Sequence, residues 1–536
     1  MNDTQLPSSI ALAEEKNKLT YSKLDAVTLL ISIVFGYLFS KWGGLYDIGA
    51  GTFVLSSVMI AGSLLFLHIK KIPVPPKCYV FIALTAVFST VLILSSSESV
   101  KLLAAFYVIV STFYWMFTVC LTSADGDKLS IIDDFIALNI IKAALVVPFS
   151  YIVRVFESTD AILTSLSGKG RSAGKKVLMV IGGLCAAVIP TAIIMGLLLN
   201  ADDAFSGMID RIFTFTLDKF FLEFVFFITG VPAGLYVFNV LYGNAHRNKC
   251  GDEKFSNSAN FGRNESFTQK LRFASPFVIF ASVTPICLIY TLFFAAQSAY
   301  FLSPFKNIIP DGFTHAEYAR KGFFELCAVA VINIFIIIYI TLLTKRKGNS
   351  KNHAIKVYVT LISAYTLVMI AIATAKMAMY INAYGLTIMR LYPTWFMILL
   401  SVVFILIIVR QFVKFKLFTC IFAVFIVMFA VLIFVDFDSI IANYNIDRYL
   451  TGSLDSVDTD MIRFELSDSA VPALLKLLDD DNPFMVDRME DAIYERYSAA
   501  RTQKMNFPNF NLASYLMMKE IEAAPQFDKL NAVKIN

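Results

Sequence analysis

The chain has 536 residues, of which 57% are hydrophobic and only 16% carry charged side chains. About one-quarter of the residues of soluble globular proteins are charged, so the composition argues against an ordinary soluble fold. Residues 1–435 contain 36 Lys and Arg against 23 Asp and Glu, whereas residues 436–536 contain 10 against 18. We interpret this uneven charge as a sign of membrane topology, and we expect no nucleic-acid partner.

Apolar stretches of about 20 residues recur up to residue 435, and this is the length of an α-helix that crosses a bilayer. The stretches are continuous rather than alternating, which favours helices over the strands of a membrane barrel. We therefore predict an all-α fold, a polytopic helical membrane protein with about eleven transmembrane helices. The predicted spans are 24–40, 48–69, 78–95, 100–122, 177–199, 220–242, 274–302, 323–344, 357–380, 394–413 and 417–435.

Residues 131–155 form an ambiguous twelfth apolar stretch, because Asp133, Asp134 and Lys142 lie in it. Cytoplasmic loops are enriched in Lys and Arg. With eleven spans and a cytoplasmic N-terminal tail over residues 1–23, the cytoplasmic segments hold 27 Lys and Arg and the opposite loops hold 8. A twelfth span would reverse this bias. We predict that 131–155 is an interfacial or re-entrant helix on the cytoplasmic side, and that the C-terminus lies outside the cytoplasm.

Charged residues gather near the outer end of this predicted bundle, between spans 274–302 and 394–413 and at the start of span 220–242. Thr314 and Glu317 have the spacing of a capping box, which predicts the start of a helix. The charged side chains from Glu317 to Glu325 recur every three or four residues and would lie along one side of that helix. One interpretation is a juxtamembrane helix whose charges pair at the water interface. The other is an outward-facing polar vestibule, in which Lys376 pairs with Glu325 or Glu223. The ligand-binding residues of that vestibule would be Lys376, Glu325, Arg320, Glu223, Glu317, Arg390 and Asn333.

Motifs for catalysis or for cofactors are not convincing in this sequence. The segment 168–176, GKGRSAGKK, has the wrong glycine spacing for a phosphate loop, and Lys176 stands where Ser or Thr would bind magnesium. The four histidines are far apart, and the seven cysteines form no CxxC pair. We therefore predict no catalytic residue, no cofactor and no metal site, and we favour a protein that is not an enzyme.

Residues 436–536 are predicted to form an acidic extracytoplasmic helical module, called the C-terminal module below. Apolar residues recur at helical spacing in SAVPALLKLLDDD and NLASYLMMKEIEAA, and Pro472 fits the first turn of a helix. The negative charge of the module disfavours contact with anionic lipid headgroups. We expect the module to cover the vestibule or to dock an envelope protein.

Three segments of the chain resemble signatures of a large family of uncharacterised bacterial multi-pass membrane proteins, catalogued as a domain of unknown function. They are SPFKNIIPDGFTHAEYARKGFFELCAVAVIN, KMAMYINAYGLTIMRLYPTWFMILL and IIANYNIDRYLTGSLDSVDTDMIRFELSDSAVPALLKLL. The resemblance covers most of residues 170–490. It implies a bacterial integral membrane protein and supplies no catalytic residue.

The sequence thus predicts a multi-pass protein of the cytoplasmic membrane, with the lipid bilayer as its first partner. Its predicted function is to bind or translocate a small solute, an ion or a lipid headgroup through the vestibule. One alternative is a membrane scaffold or sensor whose acidic module docks an envelope partner. Another is a membrane-embedded transferase on a lipid-linked substrate, for which the candidate carboxylates are Asp202, Asp203, Glu223 and Glu317.

Overall fold

A computed structural model of the chain describes residues 23–43, 48–125, 136–150, 208, 219–246, 275–297, 323–344 and 349–525. These ranges are helical and contain no β-strand. Eight of their helices are long and apolar enough to cross a membrane. The all-helical, multi-pass membrane fold expected from the sequence is therefore confirmed.

The described part of the chain contains sixteen α-helices, most of them joined by short links. The helices that precede residue 300 are α1 (Lys23–Trp42), α2 (Ala50–Ile69), α3 (Cys78–Ser89), α4 (Val91–Leu94), α5 (Glu98–Asp125), α6 (Ile136–Ile141), α7 (Lys219–His246) and α8 (Pro276–Gln297). The later helices are α9 (Phe323–Leu343), α10 (Asn349–Tyr384), α11 (Ile388–Phe412), α12 (Leu417–Phe434), α13 (Phe437–Leu450), α14 (Val471–Leu474), α15 (Pro483–Ala499) and α16 (Leu512–Ala523).

The eight long apolar helices are α1, α2, α5, α7, α9, α10, α11 and α12. Two further predicted spans correspond to shorter apolar helices, Cys78–Leu94 and Phe280–Ala296. The predicted span 177–199 lies outside the described residues, so the number eleven stays a prediction. The ambiguous stretch 131–155 is described from residue 136 to 150, where its apolar helix, Asn139–Ser150, is too short to cross a bilayer alone.

Helices α1 and α7 make the closest helix pair in the described structure, because glycines face each other where they cross. A Cβ atom on Gly36 would lie 2.7 Å from the Cα of Gly234, and one on Gly230 would lie 2.6 Å from the Cα of Tyr37. Small residues spaced four apart let membrane helices approach until their backbones touch. These glycines therefore fix the position of α7 against α1.

Buried apolar side chains form separate clusters along the bundle. One joins α2, α3, α5 and α7 around Trp115 and Tyr242, and another joins α8 to α11 around Phe323 and Phe404. A third cluster packs α3 and α4 against α5 and α12. Continuous apolar helices thus bury one face in protein and leave the other for lipid.

The C-terminal module, described up to residue 525, contains the four helices α13 to α16. Side-chain oxygens of Asp436, Asn482 and Asn511 accept backbone N–H groups at the starts of α13, α15 and α16. Pro472 lies in the first turn of α14, where the sequence predicted a helix start. Apolar residues of all four helices share one core, which includes Ile441, Leu474, Met489, Ile493 and Met517.

Candidate functional site

The C-terminal module contacts three links of the membrane-spanning bundle, and it follows directly from α12. The backbone N–H of Ala50 donates to the carbonyl of Phe510 at 2.8 Å. The backbone N–H of Ser469 donates to the hydroxyl of Ser96 at 3.3 Å. The link between α10 and α11 is bound by α13, as described next. These links therefore lie at one end of the bundle, called the module end below.

Asn445 of α13 holds the turn between α10 and α11. Its Oδ1 accepts the backbone N–H of Leu386, and its Nδ2 donates to the carbonyl of the same residue, both at 2.7 Å. Gly385 has a φ of +79°, and a Cβ atom there would lie 2.5 Å from Oδ1 of Asn445. The turn therefore needs glycine both for its backbone conformation and for the approach of this side chain.

Two arginines satisfy the carbonyl groups that α10 leaves unpaired at its C-terminal end. Arg448 donates to the carbonyl of Asn382 at 2.8 Å. Arg390 donates to the carbonyls of Tyr384 at 2.9 Å and Gly385 at 2.5 Å. The Arg390 guanidinium also lies 4.1 Å from the centre of the Tyr380 ring. Arg390, which the sequence analysis assigned to ligand binding, is thus engaged in holding this helix end.

A buried lysine lies at the junction of the bundle and the module. Lys101, in the first turn of α5, has only 2% of its surface exposed. Its Nζ donates to the carbonyl of Ile48 at 2.5 Å and to Glu98 at 2.7 Å. Asp468 of the module also attracts it electrostatically. The lysine thus ties the link between α1 and α2 to the start of α5, beside the module.

Two buried carboxylates belong to the module side of this junction. Asp468 accepts a hydrogen bond from Lys504 at 2.7 Å and another from the Ser514 hydroxyl. Asp438 accepts the backbone N–H of Ser467 at 3.1 Å. Burial raises the pKa of the Asp438 carboxyl above its usual value, and the hydrogen bonds from Ser467 partly oppose this effect. The junction is therefore a region of desolvated polar groups that are bonded to one another.

The structure places Glu325 near enough to Lys376 to attract it electrostatically. Lys376 is half-buried in α10, two turns before Tyr384, or about 12 Å along the helix from the module end. Glu325 is exposed in the first turn of the neighbouring helix α9 and attracts Lys376. This pair is one of the two that the sequence analysis considered.

Glu223, the other candidate partner of Lys376, interacts with α1 instead. Its carboxylate accepts hydrogen bonds from Lys41 at 2.5 Å and from the Tyr37 hydroxyl. Ser40 and Thr229 form a further hydrogen bond between the same two helices at 2.5 Å. Because α1 and α7 touch along their glycines, these hydrogen-bonded side chains are part of the contact between the two helices.

Asn333 lies fully buried between three helices. The Tyr290 hydroxyl of α8 donates to its Oδ1 at 2.6 Å, and its Nδ2 donates to Thr366 of α10 at 2.9 Å. This hydrogen-bonded network connects α8, α9 and α10 within the bundle. Ligand binding by Asn333 stays a prediction, and the two other predicted residues, Arg320 and Glu317, lie outside the described residues.

A groove of about 710 Å³ runs between α10 and α11. None of the seven predicted ligand-binding residues lines it. Its polar groups are partly engaged, because the hydroxyls of Thr374 and Ser401 each donate to a carbonyl of their own helix. Its lining consists of Leu367, Ile370, Ala371, Thr374, Ala375, Ala378, Met379, Asn382, Ile398 and Ser401.

The sequence analysis missed the residues of the module junction. Lys101 had a detectable signal, because it is a lysine three residues after Glu98 at the start of an apolar run. Asn445 and Arg448 lie in an ordinary amphipathic helix, and nothing local distinguishes them. Within the described ranges, no group of three or more His, Cys, Asp and Glu side chains is arranged to hold a metal ion.

The chain was compared with protein families, curated proteins and solved structures. The family described as "Domain of unknown function (DUF4153)" matches residues 81–477. No curated protein and no solved structure matches the chain. The family match runs from α3 into the module and includes Lys376, Glu325, Asn445 and Lys101. Since it covers about three-quarters of the sequence, the chain belongs to the DUF4153 family.

Proposed function

We propose that this integral membrane protein binds the anionic group of a small solute or a lipid headgroup at Lys376, near the module end. The observation that carries the proposal is the half-buried position of Lys376 within the membrane-spanning helix α10, with the exposed Glu325 near enough to attract it. An ionisable side chain within a membrane-spanning helix is costly, and such residues commonly belong to binding sites or transport pathways. Glu325 neutralises the lysine when no ligand is bound.

The different exposure of the two side chains supports this assignment. Glu325 is exposed, whereas Lys376 is half-buried. An incoming phosphate or carboxylate would take the place of Glu325 beside the lysine, and the mobile glutamate would turn toward water. The attraction between the lysine and an incoming anion is stronger at a site partly removed from water, because the effective dielectric constant is lower there.

We also propose that the module end faces away from the cytoplasm, so that the site opens outward. The charge bias supports this orientation, because the 27 Lys and Arg of the predicted cytoplasmic segments outnumber the 8 on the opposite side. The contacts of the module with the links that follow α1, α4 and α10 place these three links at the same end of the bundle, whichever way that end faces.

The binding proposal is tested with two probes, inorganic phosphate and phosphatidylglycerol, added to the purified protein in detergent at constant ionic strength. Either probe should raise the unfolding temperature of the wild type. Lys376→Ala should lower the affinity for that probe at least tenfold, and Lys414→Ala, a change outside the spans, should not. Equal affinity of Lys376→Ala and the wild type, or no stabilisation of the wild type by either probe, would refute the proposal.

A scaffold or sensor role is the second candidate, and it rests on how firmly the module is attached. The module is bonded to three bundle links, and the segment after residue 435 is acidic, with 18 Asp and Glu against 10 Lys and Arg. In cells, this role requires that loss of residues 437–536 abolishes function while Lys376→Ala has no effect. The binding role requires a loss of function from Lys376→Ala in a protein that still folds.

The transferase alternative receives no support from the described residues. Glu223, one of its candidate carboxylates, is engaged by Lys41 and Tyr37. Asp202, Asp203 and Glu317 lie outside the described residues.

A further inference from the structure

Part of the C-terminal module exposes apolar and aromatic side chains on one side. Leu512, Tyr515 and Leu516 lie on one face of α16, and Phe507 lies in the short helical turn before it. Their exposed fractions are 37%, 38% and 50% for the three residues of α16, and 56% for Phe507. These four residues are called the aromatic face.

The aromatic face lies where transmembrane helices end. The Phe507 ring packs edge-on against Trp42, with 5.9 Å between the ring centres. Trp42 is the last residue of one span, and Ala50, which donates its N–H to the Phe510 carbonyl, is the first residue of the next. The start of α16 is therefore held beside the boundary between hydrocarbon and water.

Helix α16 has apolar residues on two opposite sides. Met517 and Ile521 are buried in the core of the module, which explains one side. The aromatic face lies on the other side, and its charged neighbours, Lys519 and Glu520, follow only in the later turns. A helix that needed only to stay soluble would carry polar residues at these exposed positions.

We propose that the aromatic face lies in the headgroup region of the bilayer and holds the module against the membrane surface. Tyr and Trp are enriched at this depth, because their rings combine an apolar body with a polar edge. Helices with an exposed apolar face bind to the bilayer surface at the same depth. The acidic charge of the module is thus carried by its other surfaces, and the aromatic face binds lipid through apolar contact.

Two other exposed aromatic residues of the module provide a comparison. Phe464 and Phe484 are 70% and 66% exposed. Each has an arginine from its own segment against its ring, Arg463 and Arg488 respectively. Helix α15, which contains Phe484, packs on other elements of the module. Phe484 therefore serves as the control, an exposed aromatic residue of the module whose ring contacts an arginine of its own helix and not the end of a membrane span.

The proposal is tested by tryptophan fluorescence of the full chain in phosphatidylcholine vesicles, with and without lipids brominated near the headgroup. Leu516→Trp should add emission that the brominated lipid quenches at least twofold, after subtraction of the three native tryptophans. Leu512→Trp should behave in the same way, and Phe484→Trp should add emission that is not quenched. Gel filtration and the unfolding temperature show that each variant is folded.

Absence of quenching at both positions 512 and 516 would overturn the proposal. If the emission maximum of the introduced tryptophan were also blue-shifted, a second copy of the chain or another protein would cover the aromatic face. If the emission maximum were that of tryptophan in water, the aromatic face would be exposed to solvent. Quenching of Phe484→Trp equal to that of Leu516→Trp would equally contradict a specific membrane-facing side.

Discussion

Several polar side chains inside the bundle bond to a neighbouring helix. Asn333 bonds to Tyr290 and Thr366, and Glu223 bonds to Lys41 and Tyr37. In lipid, an amide or carboxylate without a partner costs several kcal/mol, so such contacts select which helices adjoin. Lys376 differs because it is a half-buried cation well inside a membrane-spanning helix, with the exposed Glu325 near it.

The Asn333 network is expected to contribute to the stability of the bundle. Tyr290→Phe and Asn333→Leu should each destabilise the protein, and a double-mutant cycle should give a coupling energy of about 0.6–1.7 kcal/mol, as for hydrogen bonds between membrane helices. The measurement is reversible unfolding in mixed micelles. Ser401→Ala, whose hydroxyl bonds only to its own helix, should change stability by less than about 0.5 kcal/mol. A coupling energy near zero would show that the hydrogen bond does not stabilise the fold.

At the scale of single elements, the contact of α1 with α7 depends on the absence of side chains. The backbone of Tyr37 occupies the place that a Cβ atom on Gly230 would need, whereas a Cβ atom on Gly62 would meet nothing within 4 Å. Both glycines are inside helices. The two positions therefore separate the effect of helix propensity from the effect of close packing.

Gly230→Ala is expected to destabilise the protein by about 1–3 kcal/mol, because the added methyl group forces the helices apart. Gly62→Ala should leave stability unchanged or raise it by up to about 1 kcal/mol, since alanine favours the helix. Unfolding of the two variants under the same conditions provides the comparison. The packing interpretation fails if both variants are equally stable or if Gly62→Ala is the weaker one.

The helices were predictable from the sequence, and most of their contacts were not. Eight spans follow from continuous apolar runs of about 20 residues, a property of the chain itself. The partner of Glu223 is Lys41, 182 residues away, because α7 adjoins α1, and hydropathy carries no information on which helices adjoin. The pairing of Lys376 with Glu325 was one of two options based on shared depth. Depth follows from position within a span, whereas adjacency depends on packing.

At the scale of the whole molecule, the bundle and the module are joined by directional hydrogen bonds and buried charges. Asn445 binds both polar groups of the Leu386 backbone, and Arg448 donates to the carbonyl of Asn382 at the end of α10. The module thus restrains the link that joins α10, the helix of Lys376, to α11. Loss of the module contacts should therefore be detectable in the bundle.

Asn445→Ala is expected to increase hydrogen exchange at the Leu386 amide at least tenfold, since its acceptor is removed and the turn at Gly385 loses its support. Asn443→Ala provides a matched control, because Asn443 lies in the same helix and contacts only residues of the module. Exchange at Leu386 should be normal in that variant. Equal protection of Leu386 in the wild type and in Asn445→Ala would show that the module does not stabilise this turn.

The central claim is that the module end, with Lys376 and Glu325 beside it, faces away from the cytoplasm. The most direct test is alkaline phosphatase fused after residue 536 in bacterial cells, because this enzyme becomes active only outside the cytoplasm. We predict an active fusion, together with an inactive one when the phosphatase is inserted after residue 346, between α9 and α10. An inactive C-terminal fusion combined with an active one at residue 346 would contradict the proposed orientation.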